Sequence, residues 1–151
     1  MLLFHTNKPV IFITMGDPAG IGPEIIKKAT ASSSMRELAV FVVIADAFVM
    51  QEAFGEEASG DLSIHYLSCE EKIEILEDKI NIIDPGEPLN EETVAIKGAL
   101  KALKCIETSV KLISSSDFDN HYDFTVHNIT SFFICPAPIP ALWRLAVQVH
   151  G

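Results

Sequence analysis

The residues best placed to do chemistry lie early in the chain, in Thr14-Met15-Gly16-Asp17-Pro18-Ala19-Gly20-Ile21-Gly22-Pro23-Glu24. Glycines at 16, 20 and 22 allow positive φ and let a ligand or another backbone come close. Pro23 suits the first position of a helix, where its missing N–H costs nothing, and Glu24 suits the positive end of the helix dipole. A loop that ends at a helix start gathers free N–H groups, and such groups hold a phosphate or a carboxylate. Gly16, Asp17, Gly20 and Gly22 are therefore the candidate ligand-loop residues. The same glycines also serve a structural turn that seats the helix tightly on a sheet, and both readings stand. Asp17 reads first as a turn residue beside Pro18 and second as a site carboxylate. The loop is not a Walker loop, since no Gly-Lys-Ser/Thr follows, and its glycine spacing is not that of a dinucleotide fingerprint.

Other polar residues carry weaker signals. Asp46 follows an apolar run and reads as a helix cap before it reads as a ribose ligand. His5 and His65 are isolated, and His121 and His127 are six apart, which fits no common two-ligand spacing on a helix. Cys69, Cys105 and Cys135 have no metal or redox spacing and read as free thiols of a reducing cytoplasm. No catalytic residue and no metal ligand is assigned.

These residues need elements to position them. Val10-Ile11-Phe12-Ile13-Thr14 reads as a buried strand before the loop, and Pro23 to Ala29 as the helix after it. Leu38 to Ile44 is a continuous apolar run, as in a strand covered on both faces. Asp46 then caps a helix over Ala47 to Phe54. Leu62 to Leu67 and Ile80 to Asp84 read as further strands, the second closed by Pro85-Gly86-Glu87-Pro88. Asn90 caps a helix from about Glu91 to Ile113, where Ile96, Leu100, Leu103, Ile106, Val110 and Ile113 recur as one apolar stripe. That stripe needs a sheet and neighbours to cover it. Strands alternating with helices predict an α/β fold, a mostly parallel sheet flanked by helices.

Bulk properties narrow the partners. The chain has 151 residues, enough for one ordinary domain, and a hydrophobic content of 48% supports a packed core. A formal net charge of -10 speaks against nucleic acid and against an anionic membrane surface. The start shows no convincing signal peptide and no apolar run reaches membrane-spanning length, so a cytoplasmic location is expected. From Asn120 to Gly151 only Asp123 and Arg144 are formally charged, and prolines interrupt any regular element. The chain therefore divides into an α/β domain over residues 1–119 and a divergent apolar, proline-rich tail over 120–151. Phe124 to Val126 and Ser131 to Ile134 are candidate strands within the tail.

The motif Thr14 to Glu24, set between a strand and a helix, resembles the amino-terminal signature of the 4-hydroxythreonine-4-phosphate dehydrogenase family. Val42-Val43-Ile44-Ala45-Asp46 matches the family's second strand and following acidic residue. Asp84-Pro85-Gly86 through Ile106-Glu107 is similar to its long helix. The resemblance runs from about residue 8 to 119. It implies an incomplete domain of the isocitrate and isopropylmalate dehydrogenase type, from a homodimeric enzyme of pyridoxal phosphate biosynthesis with its active site between two domains. It further implies NAD-dependent oxidation of 4-phosphooxy-threonine, a small phosphorylated substrate, then decarboxylation to 3-amino-2-oxopropyl phosphate. A divalent metal on three histidines polarises the reacting hydroxyl in that family.

The family's Gly-His-Thr-Glu segment, its metal histidines and its substrate-binding lysine, asparagine and arginine have no counterparts here. The match stops near residue 120, which suggests a frame change or a truncated gene. The expectation is a truncated dehydrogenase, inactive alone and unable to bind NAD or the metal fully. The alternative is a non-catalytic α/β module that binds a phosphorylated metabolite or pairs with a full-length subunit. A third reading is an interaction domain whose apolar tail docks on a partner.

Overall fold

The computed structural model describes residues 2–4, 6, 8–55, 63–68, 73–115 and 126–128. Its strands are β1 (Leu2–Phe4), β2 (Val10–Thr14), β3 (Val40–Ile44), β4 (Ile64–Ser68), β5 (Ile73–Ile75), β6 (Ile80–Asp84) and β7 (Val126–Asn128). Its helices are α1 (Gly22–Ala31), α2 (Ser33–Leu38), α3 (Ala47–Phe54) and α4 (Val94–Ser115). The main sheet is parallel throughout, in the order β4-β6-β3-β2-β7. The α/β expectation holds.

Apolar patterning explains the sheet. All five residues of β3 and of β6 are buried, as in strands covered on both faces. The register pairs Val10 with Val40 and Thr14 with Ile44, then Ile44 with Ile83 and Ile83 with Leu67. This alignment brings the carboxyl-terminal ends of β2, β3, β4 and β6 to one edge. Phe12, Val42, Ile44 and Ile82 fill the centre at 0% exposure. The buried Asn81 donates to the carbonyls of Phe41, Leu76 and Lys79, and its own carbonyl accepts from Leu76 N–H, so its burial is compensated.

The faces follow from connection handedness. Parallel crossovers are right-handed. The chain moves from β2 to β3 and from β3 to β4 in one direction, which sets α1 and α3 on one face, where they touch each other. It returns from β6 to β7 in the opposite direction, which sets α4 on the other face, against β2 and β3.

Several elements differ from expectation. Leu38 closes α2 instead of opening β3, and is 68% exposed. The short β1 and β5 pair with each other in a separate parallel sheet, with Leu2 opposite Ile73. Of the tail expectations, β7 covers residues 126–128 and pairs with β2; residues 131–134 lie outside the described residues, as do Cys69 and Cys135.

The largest correction concerns α4. Asn90 does cap its start: its side-chain carbonyl accepts from Thr93 N–H at 3.0 Å, while Thr93 Oγ1 accepts from Asn90 N–H at 2.9 Å. The helix proper begins at Val94, and the apolar stripe is not its inner face. Gly98, Lys101, Cys105, Thr108, Ser109 and Leu112 are buried instead. Ile96 is 80% exposed, Leu100 70% and Leu103 46%. Ile106, Val110 and Ile113 are half-buried. Each large side chain left in water forgoes about 1.5–3 kcal/mol of burial, so this rotation requires a compensating interaction on the inner face. Lys101 supplies it.

Candidate functional site

The loop after β2 is built around backbone constraints. Gly16 has φ +74°, a conformation that side-chain-bearing residues rarely adopt. Asp17 is exposed, and its carboxylate accepts from Ala19 N–H at 2.9 Å while Gly20 N–H donates to Asp17 C=O at 3.0 Å. This is an Asx turn followed by a β-turn. Gly22 opens α1 so close to β2 that a Cβ there would lie 2.2 Å from the Met15 carbonyl oxygen. From the other side, a Cβ on Gly98 of α4 would lie 2.9 Å from Pro18 Cγ. Strand, helix α1 and helix α4 thus clamp the loop. Ile21 at the N-cap gives no side-chain hydrogen bond to the first turn of α1. Pro23 has no N–H to satisfy, and Glu24 sets its own negative charge beside the helix start.

A second group of residues lies at the same edge, and its cationic member went unread in the sequence. Asp46 follows β3 and Asp84 ends β6. Between them sits the Lys101 ammonium of α4, 2.9 Å from Asp46 Oδ2 and 2.6 Å from Asp84 Oδ1, and it also donates to Glu87 C=O at 2.9 Å. Asp46 accepts from Val49 N–H and Leu89 N–H, and Asp84 from Ala47 N–H and Gly86 N–H. Asp46 is therefore a helix cap, as its position after β3 suggests, and it is fully buried. In open α/β sheets a ligand crevice forms where adjacent strands send their chains to opposite faces. Here that point lies between β3 and β6, and the ion cluster fills it. The signal for Lys101 lies in a second phase of α4, Gly98, Lys101, Cys105, Thr108 and Leu112, which runs at helical spacing on the other side of the helix from Ile96, Leu100 and Leu103.

Burial alone would push the Lys101 ammonium towards neutrality. The hydrogen bonds and charges of Asp84 and Asp46 outweigh it, and the net shift is upward. One turn on, burial pushes the Cys105 thiol from its ordinary 9.0 up to about 12; Lys101 acts against this, and Asp84 and Asp46 add to it. The folded chain thus holds both protons more tightly than the unfolded one. The associated stability is whole below the unfolded pKa values, about 9 for the thiol and about 10.4 for the amine, and is lost as pH rises through the folded ones. For the thiol, stability read from urea unfolding should fall from about pH 9 to about pH 12, at up to about 1.4 kcal/mol per pH unit. Cys105→Ala should flatten the first part of that fall. A flat profile in the unchanged chain would contradict the burial of the thiol.

Among the described residues, no group of three or more His, Cys, Asp or Glu side chains is placed to hold a metal. Asp46 and Asp84, the carboxylates that do converge, already share an ammonium and four backbone N–H groups. Their donor set does not fit a divalent metal. His65 is half-buried with Nδ1 3.4 Å from Asn81 Oδ1, away from this edge cluster. A cleft of about 430 Å³ lies beside Phe48, Asn90, Glu91 and Glu92. Its two glutamates oppose an anionic ligand. No described helix is long and apolar enough to cross a membrane.

A parallel sheet with helices on both faces and a glycine loop at the carboxyl end of its first main-sheet strand defines the class: a doubly covered α/β protein. No family model matches the chain. A Desulfosudis oleivorans 4-hydroxythreonine-4-phosphate dehydrogenase is 36% identical over 100 residues, covering 63% of this chain and 29% of the relative. Clostridium botulinum and Fusobacterium nucleatum proteins, provisionally named D-threonate 4-phosphate dehydrogenase, are 45% identical over 49 residues and 39% over 74. These cover 32% and 49% of this chain, and 15% and 22% of the relatives. A crystal structure of 4-hydroxythreonine-4-phosphate dehydrogenase from Burkholderia phymatum superposes with a TM-score of 0.52 at 28% identity, over 73% of this chain and 34% of that one. The chain is related, over part of its length, to the 4-hydroxythreonine-4-phosphate dehydrogenase family. It spans less than a third of each of these curated relatives.

Proposed function

We propose that this chain carries the substrate-facing glycine loop of a cytoplasmic dehydrogenase that acts on a four-carbon hydroxy acid phosphorylated at C4. The proposed reaction is oxidation of the hydroxyl with NAD as hydride acceptor, then loss of the carboxylate. 4-Phosphooxy-threonine is the preferred substrate, giving 3-amino-2-oxopropyl phosphate. The relatives' two names share the four-carbon acid with its terminal phosphate, so the phosphate is the group that a shared element would recognise. The observation that carries the proposal is the clamped turn Gly16 to Gly22. It brings the start of α1, with the N–H groups of Gly22 and Glu24, to the carboxyl edge of the sheet, where Ile21 makes no side-chain hydrogen bond to the first turn. These groups would orient the phosphate. The metal and cofactor chemistry would come from groups other than the described residues.

Two measurements test this. The 151-residue polypeptide, with 4-phosphooxy-threonine, NAD and a divalent metal, should give no NAD reduction above background; an enzyme-like rate would refute its dependence on further residues. Calorimetric titration with 4-phosphooxy-threonine should show binding that weakens at least about tenfold in Gly20→Leu, with inorganic phosphate competing. Gly20 is suitable because its added Cβ would meet only the exposed Asp17, its carbonyl oxygen at 3.3 Å and its Cβ at 3.6 Å, so the fold should survive. Equal heats in both proteins, or no heat in either, would overturn the loop assignment.

A further inference from the structure

We infer that Gly98 of α4 is a positioning residue for the glycine loop. Acting through Pro18, it sets where the Ala19 and Gly20 N–H groups lie and, resting on the ligand role proposed above, the loop's affinity for the phosphorylated substrate. Gly98 is the one glycine of α4, and it is buried in the helix interior, where alanine would make the better helix. What it provides is therefore room, not helix stability. A Cβ at this position would lie 2.9 Å from Pro18 Cγ and 3.3 Å from Pro18 Cδ, with Asp17 Oδ1 at 3.6 Å. Pro18 is buried against this bare stretch of backbone, and its closed ring cannot rotate aside as an open side chain would.

The helix is not free to give way. One turn beyond Gly98, the Lys101 ammonium holds Asp46 at 2.9 Å, Asp84 at 2.6 Å and Glu87 C=O at 2.9 Å. These anchors come from the ends of β3 and β6 and from the turn after β6, so they oppose both sliding and rolling of α4 on the sheet. The loop is the softer side. Its two bonds start at Asp17 and straddle Pro18: the carboxylate accepts from Ala19 N–H at 2.9 Å, and Asp17 C=O accepts from Gly20 N–H at 3.0 Å. Moving the Pro18 ring moves both bonds. A push from position 98 thus ends at the loop's N–H groups, and it needs no contact between Gly98 and a ligand.

The test compares four forms of the full chain: unchanged, Gly98→Ala, Pro18→Ala, and both together. With Pro18 present, Gly98→Ala should speed water exchange of the Ala19 and Gly20 N–H groups, read by NMR, at least about tenfold. With Pro18→Ala, where the ring atoms facing position 98 are gone, the same substitution should change it by less than about twofold. A general loosening of α4 would act alike in both backgrounds, so equal acceleration overturns the role of Gly98, as does none in either. Failure of Gly98→Ala to fold supports the contact if the double variant folds, and counts against it if the double variant does not. The dissociation constant for 4-phosphooxy-threonine should follow the exchange rates, weakening at least about fivefold with Pro18 present and by less than about twofold without it. Unchanged affinity beside altered exchange would overturn the role in binding. No heat from any of the four proteins would overturn the ligand reading of the loop, and the exchange rates alone would then decide what Gly98 does.

Discussion

Replacing Lys101 with methionine is expected to destabilise the chain by about 3–5 kcal/mol at pH 7, a large part of the total stability of a small domain. The methionine fills much of the lysine's volume, so the loss is electrostatic. Asp46 and Asp84 keep their four backbone N–H partners but lose the ammonium that sits 2.9 and 2.6 Å away. Two carboxylates that had converged on one nitrogen then face each other in a buried site. Urea unfolding of both proteins at pH 7 reads the loss. A deficit under about 1 kcal/mol would mean that the cluster does not hold α4 on the sheet.

This cluster also explains what was legible in the sequence and what was not. The central strands β2, β3 and β6 are apolar runs bounded by Gly, Pro and Asp, and each is read locally. The cap of α3 at Asp46 is a local signal of the same kind. The rotation of α4 is not local. Two phases run along that helix, Ile96-Leu100-Leu103 and Gly98-Lys101-Cys105-Thr108-Leu112, and hydrophobicity alone selects the first. What selects the second is a lysine meeting carboxylates from two distant strand ends, a pairing that exists only once the sheet is assembled. The three-residue strands β1 and β5 were missed for a related reason: each is too short to show a period and is defined by its partner. At the candidate site, the loop's glycines were legible by type, but not the reason for each. Gly16 needs its φ, whereas Gly22 needs the absence of a Cβ.

That difference gives the second large effect. Gly22→Ala places a methyl 2.2 Å from the Met15 carbonyl oxygen, inside any permitted contact, and the obstructing atom belongs to the backbone. Neither side can yield by rotating a side chain. Helix propensity favours alanine over glycine by roughly 1 kcal/mol in a helix interior, but Gly22 is the first residue of α1, where little of that gain is realised. Overpacking of this kind costs about 1–3 kcal/mol, so the net change is destabilising. Its structural expression should be a separation of the α1 start from β2. That movement strains the adjacent Met15 N–H bond to Ile44 C=O, now 3.1 Å, and amide exchange at Met15 should accelerate. Gly20→Ala is the control, since its Cβ would meet Asp17 C=O at 3.3 Å and that turn lies in solvent. It should cost under about 1 kcal/mol and leave Met15 protected. If the two alanine variants unfold at the same urea concentration, the tight seat of α1 on β2 is not what the third glycine provides, and Gly22 is left to be explained by what approaches the helix start from outside.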